Sequence, residues 1–278
     1  MWNLNYEKAK EMISVLDEHG FAMSKKFGQN FLLPLSIREK IVSRMGNIEG
    51  RSIFEIGPGL GAITSVMLGK GAFVRAFEID HGFAQILRNE AFADEERFSM
   101  VEGDALKTLF KETERPDLIV GNLPYNVGSL IIGDIIEKGL LPERMVFTLQ
   151  KEVVERMCAR EGGKEYSSFS VLSQLDYDVS YSFTIARTAF YPQPNVDSAV
   201  VVMKKKADSV IEKGEREKFF LLLRTLFSQR RKTIKNNLGR IIQDRDQLKE
   251  VLEKAGIDEK ERAENLSLKD IVRLMRCY

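Results

Sequence analysis

Short apolar runs rich in β-branched and aromatic residues recur along the first half of the chain, at Ser52–Ile56, Phe73–Ile79, Phe98–Glu102, Leu118–Gly121 and Met145–Leu149. Between them lie stretches with apolar positions at helical spacing, such as Ala62–Lys70 and Gly82–Asn89. This alternation predicts βαβ units and a mostly parallel sheet. Two longer β-rich stretches, Asp176–Ile185 and Ser198–Lys204, flank the proline-rich FYPQPNVD and read as an antiparallel pair closing the sheet edge. After Lys204–Lys206 the period changes. From about Val210 onward the pattern is helical, in pieces broken at Gly239 and Gly256. The N-terminal MWNLNYEKAKEMISVLDEHG reads as an amphipathic helix ending at Gly20. The expected division is an N-terminal helical extension (1–24), an α/β domain (25–206) and a small all-α domain (207–278).

Composition narrows the function classes only a little. At 278 residues, 44% hydrophobic and 30% charged, the chain has the make-up of an ordinary globular protein. Forty-two Lys and Arg against forty-one Asp and Glu leave a net charge of +1. Only the distribution of charge can then speak for a nucleic-acid partner. Cys158 and Cys277 form neither a disulfide framework nor a metal-ligand spacing, and His19 and His81 are the only histidines. No metal is expected, and the cysteines read as inert thiols in a reducing cytoplasm. No apolar run approaches the roughly 20 residues of a membrane span, and the N-terminus lacks the apolar core of a signal peptide.

The first strand runs into Phe54-Glu-Ile-Gly-Pro-Gly-Leu-Gly61 and then the helical Ala62-Ile-Thr-Ser. Glycines such as Gly57 and Gly59 in a strand-to-helix turn let the backbone approach a ligand. About twenty residues on, the second strand ends in Glu78-Ile-Asp80, where a carboxylate can accept from both hydroxyls of a ribose. The third ends in Glu102-Gly-Asp104, placing Asp104 within reach of an adenine edge. The turn carries no basic residue to meet a pyrophosphate. That favours a nucleoside without phosphates, S-adenosylmethionine first and NAD as the weaker alternative.

The fourth strand ends in Gly121-Asn-Leu-Pro-Tyr-Asn126. Proline cannot donate to a sheet ladder, so the strand stops by Pro124 and Asn122 falls at its carboxyl end. Taken alone, the stretch reads as a loop with a core tyrosine. Beside a methyl donor it acquires chemistry. The Asn122 side-chain oxygen and the Leu123 carbonyl can accept from an exocyclic adenine amine and hold it pyramidal. Pro124 stiffens the turn, and Tyr125 can stack on a flipped base.

Further stretches accompany these: Lys26-Phe-Gly-Gln-Asn-Phe-Leu32, LQKEVVERM at Leu149–Met157, AFYPQPNVDSAVV at Ala189–Val201, FSQRRKTIKNNLG at Phe227–Gly239 and GIDEKERAENLSL at Gly256–Leu268. With EIGPGLGAIT and NLPYN, in this order from Lys25 to Leu274, the chain resembles the KsgA-type ribosomal RNA small subunit (16S) adenine dimethyltransferases. The resemblance implies a Rossmann-like class I methyltransferase sheet, mostly parallel with seven strands and a terminal antiparallel hairpin. It implies S-adenosylmethionine as donor. The implied acceptors are two adjacent adenines near the 3′ end of 16S rRNA in the 30S subunit, each methylated twice at N6 by a cytoplasmic monomer. Carried over by motif, cofactor contacts fall on Gln29, Asn30, Leu32, Gly57, Glu78, Asp104 and Asn122. Phe190 becomes the second wall of the base pocket. Two departures are visible: after Tyr125-Asn the chain reads Val127-Gly-Ser-Leu130, where such proteins usually have a small polar residue, then Ser or Thr, then proline, and His81 follows Asp80 where such proteins vary.

Arg224–Arg240 holds six basic residues and no acidic one. On a helix Arg230, Arg231, Lys232 and Lys235 cannot all share one face, but most border a common groove; with Arg224, and with the polar Gln229, Asn236 and Asn237, they are the expected phosphate contacts to rRNA. A solvated helix face is the competing reading. Two rival functions remain at this stage. One is a 23S rRNA adenine methyltransferase of the antibiotic-resistance type; the other is a ribosome-assembly factor that has lost catalysis.

Overall fold

Strands buried on both faces form the core of the sheet, and the helices beside it begin where those strands stop. The computed structural model describes residues 4–23, 29–124 and 127–278. In chain order it runs α1 (Ala9–Glu18), β1 (Phe31–Leu32), α2 (Leu35–Ser43), β2 (Ser52–Ile56), α3 (Ala62–Gly69), β3 (Phe73–Glu78), α4 (His81–Ile86), β4 (Phe98–Glu102), α5 (Ala105–Thr108), β5 (Leu118–Asn122), α6 (Gly128–Glu137), β6 (Arg144–Gln150) and α7 (Lys151–Cys158). It continues through α8 (Ser168–Ser173), β7 (Tyr177–Ile185), β8 (Phe190–Tyr191), β9 (Ser198–Lys205), α9 (Arg216–Leu226), α10 (Ile234–Leu238), α11 (Arg245–Ala255) and α12 (Leu268–Cys277).

Seven strands form one sheet in the order β4-β3-β2-β5-β6-β9-β7. The pairs from β4 to β6 are parallel, and β9 runs antiparallel to β6. Ile53, Phe54, Leu118, Ile119, Val120, Val146 and Phe147 are all buried, as expected for parallel strands covered on both faces. At Gly121 the fit leaves no room for a side chain: a Cβ there would sit 2.7 Å from the Ile56 carbonyl oxygen. The strand order reverses between β2 and β5, so their carboxyl ends open the crevice where ligands bind in such sheets. Acidic residues shape two of the turns there. Asp80 caps α4 by accepting from the Phe83 N–H (3.2 Å), and Asp104 caps α5 by accepting from Leu106 (3.0 Å).

The strands expected from the apolar runs are present, with ends within a residue. The pair β1–β8, two residues each, is too short for any periodicity to announce. A larger difference lies in the basic run. Where a helix through Arg224–Arg240 was expected, α9 stops at Leu226 and α10 begins at Ile234, with a turn between.

The chain divides into two compact units, Met1–Val154 with Ser180–Lys205, and Glu155–Val179 with Lys206–Tyr278. The segment 155–179, placed in the α/β domain by composition, thus groups with the C-terminal helices, and residues before 25 group with the sheet. Within the second unit, Asp176 takes a two-pronged contact from Arg216 (3.0 and 2.9 Å), and the Tyr166 hydroxyl donates to the Leu266 carbonyl (2.9 Å). These partners lie 40 and 100 residues apart in sequence, which a count of local residue types does not register. No helix among the described residues is long and apolar enough to cross a membrane.

Candidate active site

A cavity of about 240 Å³ opens at the carboxyl ends of β2, β3, β4 and β5. Gln29, Asn30, Leu32, Gly57, Gly59, Glu78, Asp104 and Asn122 all line it, so the eight expected cofactor contacts share one wall although they come from five separate stretches of chain. Leu123 and Pro124 line it as well. Its described lining holds three carboxylates, Glu55, Glu78 and Asp104, and no lysine or arginine. Apolar walls come from Phe31, Leu60, Phe77, Ile79, Phe83 and Leu106. Such a lining offers no cationic partner to a phosphate, and it suits hydroxyl and amine donors on an aromatic, partly apolar ligand.

Glu78 is 6% exposed and accepts from the Asp80 N–H (2.9 Å) and the Gly59 N–H (3.2 Å), one on each carboxylate oxygen. A carboxylate has about four acceptor positions, so these bonds leave room for a ligand hydroxyl. Burial pushes its pKa up from 4.5 to about 7, against those two backbone donors, which act to lower it. Glu55 is the site residue the sequence reading passed over. Its carboxyl is buried at the end of β2, accepts from the Thr64 hydroxyl at 2.5 Å, and is pushed up by burial to about 8. The available signal was a charged residue between Phe54 and Ile56 inside an apolar strand.

Asn122 occupies the last position of β5, as expected. Its side-chain nitrogen donates to the Asn30 carbonyl at 3.1 Å. A carbonyl can only accept, so the amide atom facing Asn30 must be the NH₂ group. The amide is thereby oriented, and Oδ1 is left to accept from something else. Gln29 is held likewise, its side-chain nitrogen donating to Asp80 (2.8 Å). Tyr125, expected to stack on a base, lies outside the described residues.

Phe190, expected as the second wall of the base pocket, is 3% exposed, packs in the core cluster with Leu32, Ile41 and Val200, and is not among the residues lining the cavity. The cause is the β1–β8 register, which pairs Phe190 with Leu32 and leaves the next residue, Tyr191, 38% exposed. Asn237 is not a surface donor for RNA. It is 1% exposed, and its side-chain nitrogen donates to the Leu226 (2.7 Å) and Gln229 (3.2 Å) carbonyls, closing the turn after α9. Around that turn Arg224, Arg230, Arg231, Lys232 and Lys235 are all exposed. Yet Arg230 is ion-paired with Glu264 (3.0 Å) and Lys235 with Glu259 (2.7 Å). Among the described residues no ion pair involves Arg231 or Lys232.

The model of the ribosomal RNA adenine dimethylase family matches residues 20–278. A ribosomal RNA small subunit methyltransferase A from Treponema denticola is 42% identical over 277 residues, covering 97% of this chain and 94% of that one. The crystal structure of a dimethyladenosine transferase from Plasmodium falciparum superposes with a TM-score of 0.73 at 26% identity, over 86% of this chain and 94% of that one. The 23S rRNA methyltransferase ErmE shares the fold, with a TM-score of 0.65 at 22% identity over 88% of this chain and 98% of that one. On a match that runs from residue 20 to the last residue, this chain belongs to the ribosomal RNA adenine dimethylase family, as an rRNA adenine dimethyltransferase with S-adenosylmethionine as its methyl donor.

Proposed function

We propose that the cavity is the S-adenosylmethionine site and that the acceptors are two adjacent adenines near the 3′ end of 16S rRNA. The enzyme would act as a cytoplasmic monomer on the maturing 30S particle. The observation that carries the reading is the oriented Asn122 amide at the rim of an acidic cavity whose described lining holds no lysine or arginine. The donor, when bound, supplies an electrophilic methyl group on a sulfonium. Glu78 fits its ribose hydroxyls, Asp104 the adenine edge, and Ile79 and Leu106 the adenine faces.

The protein's own task is to make an adenine amine nucleophilic. That nitrogen's lone pair is delocalised into the ring. Acceptance of its two hydrogens by Asn122 Oδ1 and the Leu123 carbonyl would draw it toward a pyramidal form. The new N–C bond would form as the donor's sulfur–methyl bond breaks, the sulfur leaving as a neutral thioether, and the methylated nitrogen would then lose its acidic proton to water. After the first methylation one N–H remains, so one acceptor suffices for the second. Catalysis of this kind is positioning, for which well-oriented systems supply up to about 7–11 kcal/mol. The second unit would hold the rRNA, through the exposed basic residues of the turn after α9.

Nucleoside analysis of particles incubated with enzyme and donor tests the reading. N6,N6-dimethyladenosine is expected in 16S rRNA of unmethylated 30S particles and not in 23S rRNA of 50S precursors. Methylation of the 50S precursors alone would overturn it.

The two buried carboxyls predict opposite pH trends for folding and donor binding. Glu55 and Glu78 titrate at about 8 and 7 in the folded chain, against 4.5 ordinarily. The folded state therefore holds more protons between those values, so their contribution to stability is complete below about pH 4.5 and is lost as pH rises through 7 to 8. Ribose hydroxyls instead favour the ionised Glu78. Between pH 6 and 8 the melting temperature of the ligand-free protein is expected to fall, while donor affinity rises by up to about tenfold. Calorimetry on Glu78→Gln should show the affinity profile flattened. An unchanged slope in that variant would remove Glu78 from the binding equilibrium.

A further inference from the structure

The glycine turn between β2 and α3 has little local means of keeping its shape. Gly57, Gly59 and Gly61 sit at φ of +69°, +59° and +85°, and glycine leaves such conformations as readily as it enters them. Ties from elsewhere must hold it. Two come from the strand beside it: the Gly57 N–H donates to the Phe77 carbonyl (2.9 Å), and the Gly59 N–H donates to Glu78 (3.2 Å).

A third tie comes from the N-terminal segment. The Tyr6 hydroxyl donates to the Leu60 carbonyl at 2.9 Å, across 54 residues of sequence. Tyr6 is 6% exposed and packs in one cluster with Phe31, Leu60 and Phe83, three residues of the cavity wall. The Arg38 guanidinium lies 5.2 Å from the centre of its ring. Arg38, itself 3% exposed, donates to the carbonyls of Ala62 (3.3 Å) and Leu33 (3.2 Å), at the start of α3 and just past β1. The segment is anchored at two further points after Tyr6. Glu7 accepts from the Leu35 N–H (3.1 Å), and His19 is hydrogen-bonded to Glu90.

We propose that Tyr6 is a positioning residue for the cofactor turn, and that the N-terminal segment is thereby part of the donor-binding machinery. The inference rests on the reading of the cavity as the S-adenosylmethionine site. Among the described residues, the Tyr6 hydroxyl is the donor that meets the Leu60 carbonyl. With the hydroxyl gone, the turn spends less time in the shape that meets the ligand, and apparent affinity falls by the lost fraction.

Tyr6→Phe keeps the ring and its packing and removes only the hydroxyl. The dissociation constant and the KM for S-adenosylmethionine are expected to rise about three- to tenfold, the worth of one hydrogen bond. The kcat at saturating donor and the KM for 30S particles should stay within about twofold of wild type. Met12→Ala, in the same cluster but making no hydrogen bond to the turn, should lower the melting temperature without that rise. Glu78→Ala tests the cavity independently of Tyr6. If Glu78→Ala binds the donor normally, the cavity reading fails. If Glu78→Ala loses affinity but Tyr6→Phe retains it, only the Tyr6 inference fails. An equal rise in KM for Met12→Ala would also overturn it, since packing in general would then be responsible.

Discussion

Asn122→Ala is expected to slow single-turnover adenine methylation by about 10²–10³-fold or more, with donor affinity reduced far less and binding to 30S particles unchanged. Preorganised polar groups aimed at the reacting centre are typically worth that much. Here the preorganisation is visible in the bond from the Asn122 nitrogen to the Asn30 carbonyl, which commits the amide to one orientation. The interaction with the adenine amine is strongest when that nitrogen is pyramidal, so its loss falls on the rate and not on ground-state binding. Stability should drop by only about 1 kcal/mol, because a single hydrogen bond at a strand end is lost. Asn122→Asp sharpens the test. It places a carboxylate oxygen against the Asn30 carbonyl, so the side chain must turn away even though an acceptor remains. Near wild-type rates in either variant would sink the assigned role.

The double variant Arg231→Ala/Lys232→Ala is expected to weaken 30S binding tenfold or more at about 0.1 M salt and to flatten the salt dependence. Each lost phosphate contact should reduce the log–log slope by about 0.7–0.9, hence by about 1.4–1.8 together. These two are chosen because the tertiary structure gives Arg230 and Lys235 carboxylate partners in Glu264 and Glu259. Arg230→Ala alone should therefore show a smaller salt effect. Donor affinity and the rate on saturating substrate should hold in the double variant. An unchanged slope would mark the turn after α9 as a solvated surface.

Much of this protein is written in its local pattern. Apolar runs located the strands of the central sheet because a strand buried on both faces must be apolar throughout, and Pro124 located the end of β5 because it cannot join a ladder. The glycine turn, Glu78 and Asp104 could be read as one site because parallel strands deliver their carboxyl ends to a single edge. Other features depend on partners far along the chain. Phe190 is buried because two residues of β8 pair with two of β1, and no periodicity exists over two residues. Asn237 closes a turn because the Leu226 and Gln229 carbonyls need a donor once α9 ends, which in the sequence looks like one more polar residue in a basic run. Glu264 and Glu259 neutralise part of that run from beyond α11, and Tyr6 reaches Leu60 across α1, β1, α2 and β2. Periodicity and turn chemistry report what a residue does within its own element. Which charge is left free, which ring is buried and which carbonyl is held are decided only when the elements pack.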